Sequence, residues 1–337
     1  QAVVYYETKA SNATGADDIF DQNTAAANFG IQLNLDADLK NGFTFGSQLS
    51  YLGTAGLEKN LVTGVRQTAT DNGMSNISDE IALTKIFVAK KVGNTTVKVG
   101  RQALPMSLSP LAFSEGWNVF ENTFEAALVV NSDIPDTLIV GAYVGQGNGS
   151  SGANFAQFGN LKAAVNVPGG ALAGNYNADV TGTAYMLTVQ NKSIPMTTVT
   201  ASYYDLAQVG QKLTSTPAGV VTSTGSDIGA TALWLDVAIA DKSLPMGLKV
   251  GLQAGSIMPD DMTTATAPVA PGAEFANTTA YGIKIGLAPV EALTLCAAYT
   301  SVDGDDDKLN VAIKNTGTGI KTPLFTQMIY NQDAIAL

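Results

Sequence analysis

Histidine is absent from the 337 residues, and cysteine occurs once, at Cys296. The first absence removes the side chain that titrates near neutrality, and with it His-based acid–base chemistry and His metal sites. The second removes any intrachain disulfide. Charge is sparse as well: 14% of residues are Asp, Glu, Lys or Arg, with a formal balance of −11. No basic cluster is present, so nucleic acid is not an expected partner. Although 45% of the chain is hydrophobic, no run approaches the roughly twenty apolar residues of a membrane helix. No nucleophile–base–acid set can be assembled, so no enzymatic activity is expected. No leader precedes Gln1, and the chain reads as processed or trimmed.

What is present is alternation. From Asn28 to Leu39 the odd positions are Phe29, Ile31, Leu33, Leu35, Ala37 and Leu39. The even ones are Asn28, Gly30, Gln32, Asn34, Asp36 and Asp38. A strand sends successive side chains to opposite faces, so this arm has one apolar and one polar face. Lys40-Asn41-Gly42 reverses the chain, and Asn-Gly is a preferred hairpin pair. Phe43, Phe45, Leu49 and Tyr51 continue the rule on the return arm. A soluble sheet packed on one face gives the same pattern. The first arm is longer than the usual soluble strand of about five or six residues, and it suits the roughly ten-residue tilted strand of an outer-membrane barrel.

Connections then alternate between long and short. Strands are expected at about 2–8, the hairpin, 80–90, 95–102, 122–131, 137–146, 180–190, 196–206, 227–240, 247–256, 277–287, 292–302 and 322–332. The short turns include two near copies, Asn191-Lys192-Ser193-Ile194-Pro195 and Asp241-Lys242-Ser243-Leu244-Pro245. Short turns on one side and long loops on the other are a barrel's habit. Direction arithmetic makes 146–178 one long outer loop, with local structure of its own, because an extra crossing there would invert every later turn. The fold expected is all-β: a single transmembrane antiparallel β-barrel with fourteen strands visible and 16–18 in the intact protein. Its last strands read as missing after Asp333 to Leu337.

Lys98 to Pro105, Lys-Val-Gly-Arg-Gln-Ala-Leu-Pro, resembles a segment of campylobacterial major outer-membrane porins, which look like distant OprD-type relatives. Glu125 to Asn131 is similar to that family's next strand. The resemblance implies an 18-stranded barrel, usually a homotrimer, for passive uptake across a Gram-negative outer membrane. It also implies a third loop folded into the pore.

That loop is 103–121, with Pro105, Pro110, Phe113, Glu115, Trp117, Phe120 and Glu121. It is richer in apolar residues than an exposed loop. One reading is a constriction whose Glu115 and Glu121 face Lys85, Lys98 and Arg101; opposed charges of this kind set ion selectivity. The other is an ordinary loop with a satellite core. Glu125, Asp36, Asp38 and Asp236 have inward parity, and Lys249 and Lys284 belong inside because a charge on the lipid face costs about 2–4 kcal/mol near mid-membrane. Arg101 breaks the pattern: alternation from Val97 and Val99 points it at lipid unless the strand has ended or bulged. Asp303, Asp305 and Asp307 form an outer carboxylate cluster able to offer oxygens to Ca2+, though without EF-hand spacing. No other cofactor is expected.

Three functions stay open. The first is a porin, a diffusion channel for ions and small hydrophilic solutes with mild cation preference. The second is a surface structural or adhesive barrel with a plugged lumen. The third is a soluble secreted binding protein.

Overall fold

A computed structural model of the chain describes all residues except 10–17, 58–60, 68–78, 117, 149–154, 162–163, 167–181, 216–220, 261–274, 305–308, 313–323, 326–332 and 337. Its strands are β1 (Ala2–Thr8), β2 (Ala25–Lys40), β3 (Phe43–Gly53), β4 (Glu80–Val92), β5 (Thr95–Gln102), β6 (Phe124–Asn131), β7 (Thr137–Asn148), β8 (Phe158–Asn160) and β9 (Ala164–Asn166). They continue with β10 (Thr183–Asn191), β11 (Thr197–Ser215), β12 (Val221–Ala240), β13 (Lys249–Pro259), β14 (Phe275–Ala276), β15 (Thr278–Val290), β16 (Leu293–Asp303), β17 (Leu309–Ala312) and β18 (Asp333–Ala336). One sheet runs β1-β2-β3-β4-β5-β6-β7-β10-β11-β12-β13-β15-β16-β18, with β8 on the side of β7. Neighbours along it pair antiparallel in sequence order. Among the described residues no ladder joins β1 to β18. β14, β17 and β9 form a separate small sheet.

The faces follow the side-chain period. On β2, Leu33 and Leu35 are 64% and 60% exposed, while Asn28 is fully buried and Gln32 nearly so. The same inversion continues around the wall, where Ile81, Val99, Leu187, Leu235, Ile283 and Leu295 all stand exposed. In water such a belt would be an aggregation surface; facing lipid it is the expected exterior. β3, with 11 residues, spans roughly 25 Å when tilted, about the height of an outer-membrane apolar band.

The short turns are built from residues that tolerate or force the left-handed region. Asn41 and Gly42 take φ 51° and 77°, as the tight hairpin requires. Three others share one design. In each, the residue after Pro has positive φ: Asp136 (54°), Met196 (62°) and Met246 (53°). The Oδ1 of Asn131, Asn191 and Asp241 each accepts the backbone N–H two residues on, at 3.1, 3.0 and 2.8 Å. Adjacent hairpins are also tied together: Lys91 N donates to Gly42 O, Ser132 N to Asn94 O, Lys192 N to Asp136 O and Ala240 N to Met196 O, at 2.8–3.1 Å.

Thirteen expected strands match wall strands to within a few residues, except that β11 and β12 continue as a long hairpin to Ser215 and from Val221. The 322–332 strand is corrected where it can be seen. Leu324 and Phe325 are not in a strand, the rest of that segment lies outside the described residues, and the last wall strand is β18, paired with β16. Within 146–178, β8 extends β7, Leu161 bridges Gly182, and β9 joins the small sheet. None of these adds a crossing between β7 and β10, which pair directly.

Candidate functional site

The interior face of the wall holds the candidate site, and the loop between β5 and β6 divides it. Its first part turns over on itself: Ser109 N donates to Pro105 O at 2.9 Å and Ser109 Oγ to Ala112 O at 2.6 Å. This hairpin is docked on β11. Leu111 N donates to the Tyr204 hydroxyl at 3.2 Å, and Ser109 Oγ lies 3.4 Å from the same oxygen. Leu104, Leu111 and Ala112 bury against Phe124, Val144, Met186, Tyr204 and Trp234 in one dry cluster. The loop's last part packs on the opposite side, where Val119 and Phe120 bury with Leu52, Ala82 and Phe155. The Phe120 ring lies so close to Gly30 of β2 that a Cβ there would be 2.6 Å from it. A single loop that touches both β2 and β11 requires the wall to curve around it.

The charges sort onto two faces. Lys85 sits at a bulge in β4, where the ladder to β3 shifts between Gln48 and Leu49, so Lys85 reaches inward. Its Nζ lies 2.7 Å from Glu121 Oε1 of the loop. Lys98 also faces inward, with its ammonium 3.8 Å from the Phe87 ring centroid. Lys249 shares the parity of Gly251 and Gln253 on β13. Lys284 lies 5.9 Å from the Phe325 ring, and Phe325 itself covers Gly251. Alternation alone would send Lys85 outward with Ile81 and Leu83, and the bulge turns it inward. Glu115 is different: it is 6% exposed, inside the loop rather than across an opening.

Arg101 and Glu125 are corrected. They form a pair, Nε to Oε1 2.7 Å, but they share a hollow with Val99, Ile86, Ala127 and Tyr143 on the outward face. β5 continues through Arg101 in register with Ile86, so strict alternation holds and carries both side chains outward. Arg101 also donates to Leu83 O at 3.0 Å and stacks on Phe158 of β8. Of the acidic outer cluster, Asp303 is exposed, while Asp305 and Asp307 lie outside the described residues, as does Trp117.

Below the loop lies a cavity of about 570 Å³ lined by Met106, Ser107, Trp234, Asp236, Lys284 and Phe325, among others. Asp236 Oδ2 accepts from Gln253 Nε2 at 2.9 Å, and Gln253 Oε1 accepts the Phe325 N–H at 3.2 Å. Sequence reasoning missed two participants here. Phe325 lay in an expected strand. The segment 61–67 lay in an unpatterned Gly/Thr/Asn-rich stretch, yet Arg66 and Gln67 fold inward against the loop's far end. No periodic signal marks them.

Fold and interior define a class by architecture: an up-and-down antiparallel β wall, apolar outside, with a loop folded against its interior face. Among solved structures, the chain is similar to Acinetobacter baumannii OccAB3, with TM-score 0.65 and 11% identity over 99% of this chain and 73% of that one. It is similar also to A. baumannii OccAB1 (TM-score 0.57, 12% identity, 99% and 72%) and to Pseudomonas aeruginosa OccK3 (OpdO) (0.57, 12%, 97% and 66%). At such identity the likeness is one of fold. No protein-family model matches the chain, and the search of curated proteins found no relative.

Proposed function

We propose that this chain is an outer-membrane porin, a passive diffusion channel for ions and small hydrophilic solutes. The observation that carries the reading is the loop 103–121, anchored at Tyr204 on one side and at Gly30 on the other. It narrows an interior that carries both cationic and anionic side chains. Passage is then set by the width beside the loop and by Lys85, Lys98, Glu121, Asp236, Lys249 and Lys284. The net charge of −11 favours mild cation preference. The exposed apolar belt sits in lipid of a bacterial outer membrane. A homotrimer accords with the campylobacterial likeness of 98–105 and 125–131. The outward Arg101–Glu125 pair supports a protein neighbour over β4 to β7, because ionised groups are poorly solvated by acyl chains.

Planar-bilayer recording of the purified, folded protein tests the reading. Stepwise conductance with a reversal potential of cationic sign in a salt gradient is the expected result. Folded barrels that insert without conducting would leave the plugged surface barrel in its place.

A further inference from the structure

The charged end of the pore loop is held partly from outside itself, beside its own bond from Glu115 N to Asn122 Oδ1 at 2.8 Å. Its Phe120 peptide is gripped from both sides by one side chain of the preceding outer loop. Gln67 Oε1 accepts the Phe120 N–H at 2.7 Å, and Gln67 Nε2 donates to Phe120 O at 2.7 Å. Gln67 is fully buried, so its amide replaces the strand neighbour that Phe120 lacks. Gln67 is in turn fixed to the wall. Its own N–H, at 3.2 Å, and that of Arg66, at 2.8 Å, both point at Asn28 Oδ1 on β2. Arg66 adds two contacts: Nε donates to Asn118 Oδ1 at 3.1 Å, and a terminal nitrogen stands 3.7 Å from Glu7 Oε2 of β1. One residue beyond the grip, Glu121 meets Lys85.

We infer that Gln67 is a positioning residue for the constriction, a latch by which the second outer loop sets where Glu121 stands in the pore. The inference rests on the channel reading for its consequence, though not for its geometry. Both hydrogen bonds are made in a buried site, where an unmade bond costs most. Phe120 is the last residue of the loop held by the dry contacts at Gly30, so losing the grip loosens Glu121 against Lys85, which stays on β4. Asn28, a wall residue with a polar side chain on the interior face, is what makes the latch rigid rather than loop-on-loop.

The test compares wild type, Gln67→Ala, Gln67→Glu and a control, Thr188→Val, all as the full chain. Gln67→Glu keeps an acceptor for the Phe120 N–H but sets a second acceptor oxygen, in place of the Nε2 donor, against the Phe120 carbonyl. Thr188→Val removes a buried interior bond to Ser202 (2.7 Å) far from the latch. Hydrogen exchange in folded protein reads the peptide carrying Phe120. Exchange there is expected to rise about tenfold or more in Gln67→Ala, the scale of one net buried bond. Gln67→Glu should rise at least as far, because it buries a carboxylate oxygen against a carbonyl, and the control should match wild type. In bilayers, brief partial closures should rise in the same order with barrel melting unchanged. Wild-type exchange at Phe120 in both Gln67 variants overturns the latch. So does a quiet conducting pore in a variant whose exchange has risen. If wild type itself is folded and silent, the channel reading fails while the exchange measurement still decides whether Gln67 grips the loop.

Discussion

The interior face is finished in two different ways. Over β2 to β4 it is a polar mesh: Gln32 Nε2 donates to Gln48 Oε1, Gln48 Nε2 to Asn34, and Thr84 Oγ1 lies 2.8 Å from Ser50 Oγ. Over β6 to β13 the part beneath the loop is dry, with Val140, Met186, Ala232, Trp234 and Ile257 buried there, and polar pairs such as Thr188 with Ser202 and Asp236 with Gln253 lie beyond it. Both halves bury their side chains, but for opposite reasons. The mesh satisfies its groups pairwise. The dry half needs a cover, and 104–112 supplies it. The pore loop is therefore hung from one side by apolar burial and pinned on the other by directed polar contacts.

Removing the dry anchor should have the largest effect. Tyr204→Ala takes away a fully buried ring and its hydroxyl, at a cost of about 3 kcal/mol or more. Melting temperature should drop, and protease should cut 104–112 faster. Tyr204→Phe keeps the ring and loses only the hydroxyl that serves Leu111 and Ser109; roughly 1–2 kcal/mol is expected. If the two variants melt alike, the side is held by its hydroxyl and the contrast between halves is wrong.

Gln48→Leu should sharpen the comparison from the other half. Gln48 is buried, and its loss leaves Gln32 and Thr84 short of a partner, so about 1–2 kcal/mol is expected by thermal melting. Lys85→Met should change stability by less than about 1 kcal/mol, because the pair with Glu121 is partly exposed. Its effect belongs to conductance: the reversal potential should move further towards cations. The smallest effect concerns two copies of one turn. The Asp241 carboxylate accepts from Ser243 Oγ and N at 2.6 and 2.8 Å, which holds its pKa below the ordinary carboxylate value. A lowered folded pKa means the contribution is whole above about pH 4 and fades as pH falls through the folded value. The Asn191 turn has the same bonds and no such titration. Asp241→Asn should flatten the acid limb of the melting curve slightly, and Asn191→Asp should steepen it.

Alternation made the polar half legible. Phe29 to Leu39 and Leu293 to Tyr299 announce their outward faces because the inward partners are polar. In the dry half that contrast is lost: Met186 faces in beside Leu187 facing out, and Trp234 faces in between Leu233 and Leu235. Two-sided apolar strands in an otherwise alternating barrel are the mark of a covered interior. Arg101 was legible by parity, since it follows Val97 and Val99, and the expected pore role set that reading aside. Glu125 was expected to face inward, and in β6 it shares the outward side of Ala127 and the exposed Val129 instead. Gln67 was not legible. Its function comes from one peptide fifty-three residues away, and nothing local distinguishes it from a loop glutamine. Leu324 and Phe325 read as strand because apolar residues near a barrel's wall fit that pattern as readily as a plug does.

The cross-ties between neighbouring short turns have a mechanical meaning. Each of Lys91, Ser132, Lys192 and Ala240 fastens its hairpin to the one beside it, as a hoop fastens staves. A pull on one tip is passed sideways along the rim before it reaches the strands. The far, long-looped end is tied by other means, Thr63 N donating to Gln22 O at 3.1 Å and β9, β14 and β17 joining three long loops in one small sheet, so a load there is shared between loops rather than along a rim.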